Sequence, residues 1–344
     1  MKFVSFYNPQ RRQRLGLLAK DEVLDLQKIG LELHVDLPHN INDFLKGGEE
    51  FMMIASEIES RFINNQLNDF KNAIYNLDSV KLTAPIPNPP SCRDAYAFRR
   101  HVASARLNRG LQMIPEFDQF PIFYFTNHNG ITGQGDISVE LDHLQKLDFE
   151  LELAAVIGKK GKNISSNDAD SYIAGFTIMN DFSARTLQME EMTLSLGPAK
   201  GKDFATAIGP WLVTPDELED YKINTQFGNI YNLQMSARHN GKLVSTGNAK
   251  DMNWTFAEII ERASYGVEIY PGDVIGSGTV GTGCYLELNG TWAREAKERN
   301  ESFSPVWLNA GDEIELEITG LGNLTNKIVL SDNNFSILSK KKNI

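Results

Sequence analysis

The stretch Leu147-Asp148-Phe149-Glu150-Leu151-Glu152-Leu153-Ala154-Ala155-Val156-Ile157-Gly158 begins with acids alternating with apolar residues and ends as an unbroken apolar run. In a strand, Glu150 and Glu152 point to the same face. A solvated strand face would fit the alternation by itself. The flank from Leu153 to Ile157, however, reads as buried on both sides. Two like charges at the mouth of a buried strand repel unless a cation or a base sits between them. A further acid, Asp181, closes a second apolar stretch that starts at Gly175. A helix is expected to begin at Ser183, a good N-cap, with Arg185 and Gln188 three apart on one face. The loop from Gly197 to Phe204 adds Lys200, Lys202 and flexible backbone. Oxygen ligands without cysteine or clustered histidine favour Mg2+ or Ca2+ over zinc.

The elements that must hold these groups can be read from the patterning. Residues 1–80 read as a small α/β unit: a strand Lys2–Tyr7, a hairpin around Lys20-Asp21-Glu22, and an amphipathic helix carrying Phe51, Ile54, Ile58 and Phe62. Pro85, Pro87, Pro89 and Pro90 then stiffen the chain into a connector. The expected organisation is therefore a small N-terminal domain over 1–84, a connector over 85–91 and a catalytic domain over 92–344. In the last of these, strand-like runs dominate: 123–125, 149–157, 175–180, 211–213, 284–288 and 313–318. Helical patterns, at 98–107, 182–192 and 255–264, are fewer and do not alternate with the strands. An α+β, β-rich core is expected rather than a doubly wound parallel sheet.

Several functions are disfavoured at this level. Asp and Glu outnumber Lys and Arg 45 to 34, a net charge of −11, and such a field repels nucleic acid and anionic lipid. No apolar run is long enough to cross a membrane, no secretory leader is expected, and a cytoplasmic location is the default. Two cysteines, Cys92 and Cys284, leave no room for a disulfide framework or a cysteine-based zinc site. The run Gly276-Ser277-Gly278-Thr279-Val280-Gly281 matches a dinucleotide fingerprint, but that motif needs a helix directly after it. Cys284 to Leu288 alternates like a strand, so a glycine turn between strands is the reading. Nucleophile elbows, zinc-protease motifs and phosphate loops are missing from the sequence.

Taken together, Phe149-Glu150-x-Glu152, Met179-Asn180-Asp181-Phe182-Ser183-Ala184-Arg185-x-x-Gln188 and Gly201-Lys202-x-Phe204 resemble the fumarylacetoacetate hydrolase family. The Gly278-Thr279 turn and the closing Gly311-Asp312-Glu313…Gly320-Leu321-Gly322-Asn323-Leu324 stretch resemble it too, in the same order along residues 90–325. The resemblance implies a mixed β-sheet roll or sandwich core and a site for Mg2+ or Ca2+, with Mn2+ a further candidate. It also implies a small anionic 2-oxo or β-diketo acid as substrate, and a homodimer. The N-terminal unit resembles the variable small domain of many members.

Carried over residue by residue, the resemblance makes Glu150, Glu152 and Asp181 metal ligands. Asp94 becomes the fourth, seven residues before a catalytic His101, and Tyr96 a substrate contact. Short acylpyruvase-like members place a Glu three residues after the histidine, where this chain has Ser104. The fumarylacetoacetase branch uses a Glu on a later strand beyond the Gly-Thr turn, and Glu287 falls there. That combination leans toward metal-dependent hydrolysis of a C–C bond in fumarylacetoacetate or a related acylpyruvate, as in aromatic amino acid catabolism. His101, polarised by Glu287, would activate water. Arg185, Gln188 and Lys202 would steady the oxyanion, and Thr206 and Thr279 would contact the substrate carboxylate. The family also implies alternatives: a decarboxylase, an isomerase or a dehydratase of a 2-oxo acid. A non-catalytic cation-binding module is the reading from a different class.

Overall fold

The computed structural model describes residues 1–67, 69–333 and 335–342. One long sheet runs through both the N-terminal unit and the larger part of the chain. Its strands lie in the order Ile74–Asn76, Glu22–Asp25, Gln13–Ala19, Lys2–Tyr7, Thr206–Val213, Ile173–Asp181, Leu151–Ile157, Val274–Gly276, Cys92–Ala95 and Phe123–Thr126. The first strand pairs antiparallel with Thr206–Val213, placing Phe3 opposite Leu212. The proline segment thus links two stretches of a shared sheet. A second sheet, in the order Lys242–Asn248, Gln234–His239, Glu313–Ile318, Gly322–Leu330 and Gly135–Val139, packs across the core. The expected α+β, β-rich architecture is what the chain adopts, and neither sheet closes into a barrel.

The central strands are apolar on both faces because each face has its own core. Leu151, Leu153, Ala155 and Ile157 belong to the core shared with the second sheet, whereas Ala154 and Val156 belong to the core beneath the N-terminal helices. That is why this run reads as continuous rather than alternating. On the N-terminal side the helix Gly48–Ile63 buries Ala55 and Ile58. The second sheet has one wet face, as Glu313–Ile318 shows by alternating exposed and buried residues.

Two sequence expectations need correction. The run beginning at Cys284 is not a strand: a helix spans Tyr285–Glu298. Tyr285, Leu288 and Trp292 are the helical stripe that packs on the core, and a window of only five residues, Cys284 to Leu288, cannot separate that spacing from alternation. The helix also lacks a side-chain cap at Cys284, so its start carries no local signal. The glycine-rich run is therefore followed by a helix after all, and the reason given for setting the dinucleotide motif aside does not hold. The other correction is the helix expected from Ser183, which starts at Arg185. Ser183 and Ala184 instead pair as a short strand with Leu147 and Asp148.

Candidate active site

Strand ends bring the acids together. Asp181 ends one strand and lies opposite Thr206, the first residue of the next. Leu151 pairs with Asn180 and Glu152 with Met179. On the other side, Gly276 pairs with Asp94 and Asp94 with Tyr124. Every one of these groups falls at one edge of the long sheet. By strand parity, Glu152 shares a face with Ala154 and Val156, the face toward the N-terminal core.

Ligand oxygens of Asp94, Glu150 and Glu152 lie within 4.8 Å of one another, and all three residues are buried. The Gly278 N–H donates to Asp94 Oδ1 and to Glu152 Oε2, 3.1 Å each. Thr279 Oγ1 stands 3.5 Å from Glu152 Oε1. At Gly276 a Cβ would come within 2.8 Å of Asp94 Oδ1 and 2.9 Å of Glu152 Oε2, so this position must be glycine for the carboxylates to sit where they do. Gly278 takes a left-handed φ of 79°, and a Cβ there would strike the Ala95 carbonyl oxygen at 2.5 Å. The glycine run is the floor of the acidic cradle.

Asp181 is not part of that close group. Its Oδ2 accepts from Lys202 Nζ at 2.8 Å and from the Tyr124 hydroxyl, and its Oδ1 accepts from Thr206 Oγ1 at 3.2 Å. Lys202 also donates to Glu150 and so bridges the two acids. Arg185 Nη2 holds Glu150 Oε1 at 2.7 Å, while its Nη1 donates to Gln188 Oε1 at 2.9 Å. A Cβ on Gly201 would lie 2.6 Å from Gln188 Cβ, which fixes how closely the loop before Lys202 approaches this helix.

The charges divide unevenly. Burial works against ionised Glu150, yet the Lys202 and Arg185 charges outweigh it and bring its carboxyl down to about 2. Burial pushes Asp94 up to about 7, with Asp181 adding to it. Burial and then the Asp94 and Glu150 charges hold Glu152 well above the ordinary range. Asp181 is raised as well, chiefly by burial and against the pull of Lys202. Lys202 is held above its usual value because Asp181 and Glu150 overcome its desolvation.

His101 and Glu287 meet from two helices. His101 lies on Arg99–Leu107, and Glu287 is the third residue of Tyr285–Glu298. Glu287 Oε2 is 2.6 Å from His101 Nδ1 and accepts from the Thr282 N–H at 3.0 Å. Both side chains are buried. With Glu287 ionised, Nδ1 carries the proton and Nε2 is the basic nitrogen. Tyr96, two residues beyond Asp94, stands edge-on to His101 at 5.9 Å between ring centroids. Burial raises its phenol to about 12; the Glu150 and Glu287 charges add to this and Arg109 opposes it. The tyrosine therefore lies within the fields of both groups.

Three residues that sequence reasoning passed over shape the site. Tyr124 reaches Asp181 only because its strand pairs with that of Asp94, a long-range register with no local trace. Glu191 accepts from the backbone N–H groups of Ala199, Lys200 and Gly201 at 2.6, 2.8 and 3.1 Å, fixing the turn ahead of Lys202. Asp148 is fully buried against Arg185, with its Oδ2 accepting from Nε at 2.8 Å. Its signal in the sequence was its place two residues before Glu150, in the same alternating run. A cavity of about 400 Å³ opens beside Tyr124 and Lys202, lined also by Thr126, Asn127, His128 and Pro198, ample for a small organic acid.

The donor set fits a hard divalent cation. Three clustered carboxylates, two of them disfavoured as anions, sit on a glycine floor that a side chain would fill. No helix among the described residues is long and apolar enough to cross a membrane.

Residues 91–329 match the model of the fumarylacetoacetate (FAA) hydrolase C-terminal family. Over 340 residues the chain is 31% identical to oxaloacetate tautomerase YisK of Bacillus subtilis (strain 168), covering 95% of this chain and 100% of that one. Among solved structures, it superposes on fumarylacetoacetate hydrolase from psychrophilic Exiguobacterium antarcticum with a TM-score of 0.64, 23% identity, and coverage of 96% of this chain and 100% of that one. The 5-carboxymethyl-2-hydroxymuconate delta-isomerase from Mycobacterium smegmatis gives a TM-score of 0.63 at 19% identity, over 96% of this chain and 100% of that one. The chain belongs to the fumarylacetoacetate hydrolase family, a family of enzymes acting on small organic acids.

Proposed function

We propose that this member of the family interconverts the enol and keto forms of a short 2-oxo dicarboxylic acid, oxaloacetate being the nearest case, by proton transfer at C3. The observation that carries the reading is the buried His101–Glu287 pair at 2.6 Å, together with a buried group of three acids that could hold one cation. The full-length relative from Bacillus subtilis bears this activity in its name, which supports the choice of substrate.

Asp94, Glu150 and Glu152 would hold the cation, with Asp181 the further candidate ligand. When bound, such an ion supplies Lewis-acid polarisation of a carbonyl oxygen. The chain's own groups do the rest. Glu287 keeps His101 in the tautomer whose Nε2 accepts a proton, and it stabilises the imidazolium once the proton has arrived. Starting from the keto acid, Nε2 takes a proton from C3 and, as the imidazolium, gives a proton to the carbonyl oxygen, directly or through water, returning to the neutral ring. The reverse course returns a proton to C3 as the enol O–H is lost. Lys202 and Arg185 hold Glu150 as an anion across the working pH range. Tyr124 and Thr206 orient Asp181, and the buried walls limit water around the base.

A second reading, hydrolysis of an acylpyruvate, is favoured by the same dyad, because a histidine oriented by a carboxylate can also deprotonate water. Water would add to the distal carbonyl, the C–C bond would break, and a carboxylic acid and a 2-oxo acid would leave. NMR in D2O decides between the two. With Mg2+ or Mn2+ present, tautomerase action gives enol decay and deuterium at C3 of oxaloacetate with no new acid. Hydrolysis gives two acids from fumarylacetoacetate or an acylpyruvate. Enol decay at the buffer rate with every metal tested would overturn the tautomerase proposal.

A further inference from the structure

Asp148 connects the two halves of the site. Its Oδ1 accepts from the N–H groups of Phe149 and Tyr285 at 2.9 and 2.7 Å. Its Oδ2 accepts from the Leu286 N–H at 2.9 Å and from Arg185 Nε at 2.8 Å, with Arg185 Nη2 at 2.7 Å. Tyr285 and Leu286 are the first two residues of the helix that carries Glu287, and that helix has no side-chain cap of its own. Helix starts leave such N–H groups without partners, so a carboxylate from a distant strand serves as the cap. The next residue, Glu287, reaches His101 from that fixed first turn. On its other side Asp148 grips Arg185, which grips Glu150 of the cradle.

We propose that Asp148 is a positioning residue that sets the base dyad relative to the acidic cradle. It acts through the first turn of the Glu287 helix on one side and through Arg185 on the other. The proposal rests on reading His101–Glu287 as the proton carrier. A carboxylate that merely neutralised Arg185 would not need to hold Tyr285 and Leu286 as well, and its loss would affect stability rather than turnover.

Asp148→Asn keeps the shape but turns an amide NH2 or its oxygen toward a ring of donors. A misplaced base costs about 10- to 100-fold in kcat, and KM is expected to stay within about threefold because substrate contacts are untouched. The low-field proton resonance of His101 Nδ1–H, recorded without substrate, is expected to shift or vanish. In a Glu287→Gln background the same substitution is expected to cost clearly less than it does alone, since the arm through Glu287 is already lost and only the arm through Arg185 remains. Unchanged kcat and resonance, or losses that multiply fully with Glu287→Gln, would overturn the proposal. Should Asp148→Asn not fold, Leu286→Pro carries the test, because proline is tolerated in a first turn and removes a single N–H. A several-fold loss of kcat that disappears in the Glu287→Gln background supports positioning, and unchanged kcat overturns it. If the wild type turns over no 2-oxo acid, the functional reading fails, while the His101 resonance still decides the role of Asp148.

Discussion

The acidic cradle and the His101–Glu287 dyad are built in opposite ways. Two of the cradle's three acids are fixed by backbone register in one sheet, Glu152 opposite Met179 and Asp94 opposite Gly276, and the third, Glu150, sits just before its strand, held by Arg185 and Lys202. The dyad joins two helices across 186 residues of chain, and Asn108, at the end of the His101 helix, also donates to the Glu287 carbonyl oxygen at 3.0 Å. Like charges crowd the cradle, and the structure tolerates them at the expense of stability. The dyad is a matched pair. The crowded acids sit at paired strands in the interior of the long sheet, while the pair that needs only orientation sits in first turns of helices that other side chains hold.

The same contrast explains what could be read in the sequence. Spacing alone pointed to Glu150 and Glu152 as a pair on one side of a buried run; that Asp181 belongs with them came from the family resemblance, and Asp181 lies outside the close group of three acids. The β-rich class was legible from spacing as well, since 173–181 and 151–157 are nearly continuous apolar segments. Family resemblance, not spacing, supplied Asp94, His101 and Glu287. The helix under Glu287 was read as a strand because its cap, Asp148, lies 137 residues away in sequence. Tyr124 was invisible because only its register with Cys92–Ala95 aims it at Asp181. The continuity of the sheet through the proline connector was also hidden, since it depends on Lys2–Tyr7 finding Thr206–Val213.

The largest expected effect separates the two regions most cleanly. His101→Ala should lower kcat roughly 100- to 10,000-fold, the usual contribution of a positioned general base. It should leave cation affinity, read by Mn2+ electron paramagnetic resonance, within about twofold of wild type. Glu152→Gln should abolish tight cation binding and with it the metal dependence of turnover. If His101→Ala also lost the cation, the two regions would be one unit and the distinction would collapse.

The next effect concerns pH and the metal-free protein. Asp94 at about 7 and the raised Glu152 and Asp181 hold protons in the folded state that the unfolded chain has already released. Stability of the chelated protein therefore falls as pH rises from about 4 toward 7. Glu150 runs the other way: lowered to about 2, it stabilises above its unfolded value and loses that contribution only as pH falls toward 2. Melting temperatures of the chelated protein should decline across pH 5–7.5, and saturating Mg2+ should flatten the decline. Glu152→Gln, with one repelling group removed, should flatten it without metal. A chelated melting curve that rises with pH over this window would contradict the burial and crowding argument.

The smallest expected effect tests how far positioning by remote contacts extends into the cradle. Glu191 holds the N–H groups of Ala199, Lys200 and Gly201, the turn that delivers Lys202 to Glu150 and Asp181. Its carboxylate is partly exposed, so solvent can replace much of what it supplies, and charge-assisted hydrogen bonds in that setting are worth little net. Glu191→Gln keeps one acceptor oxygen and should change kcat/KM by about two- to fivefold, through KM more than kcat, because Lys202 retains both acid partners. Glu191→Ala should do somewhat more, and added salt should narrow its difference from wild type as the surface contacts are screened. The dyad offers the contrast: there, removing the remote support at Asp148 is expected to act on kcat. If Glu191→Gln were to lower kcat as strongly as Asp148→Asn, the placement of Lys202 would limit turnover as much as the placement of the dyad, and the contrast between the two regions would fail.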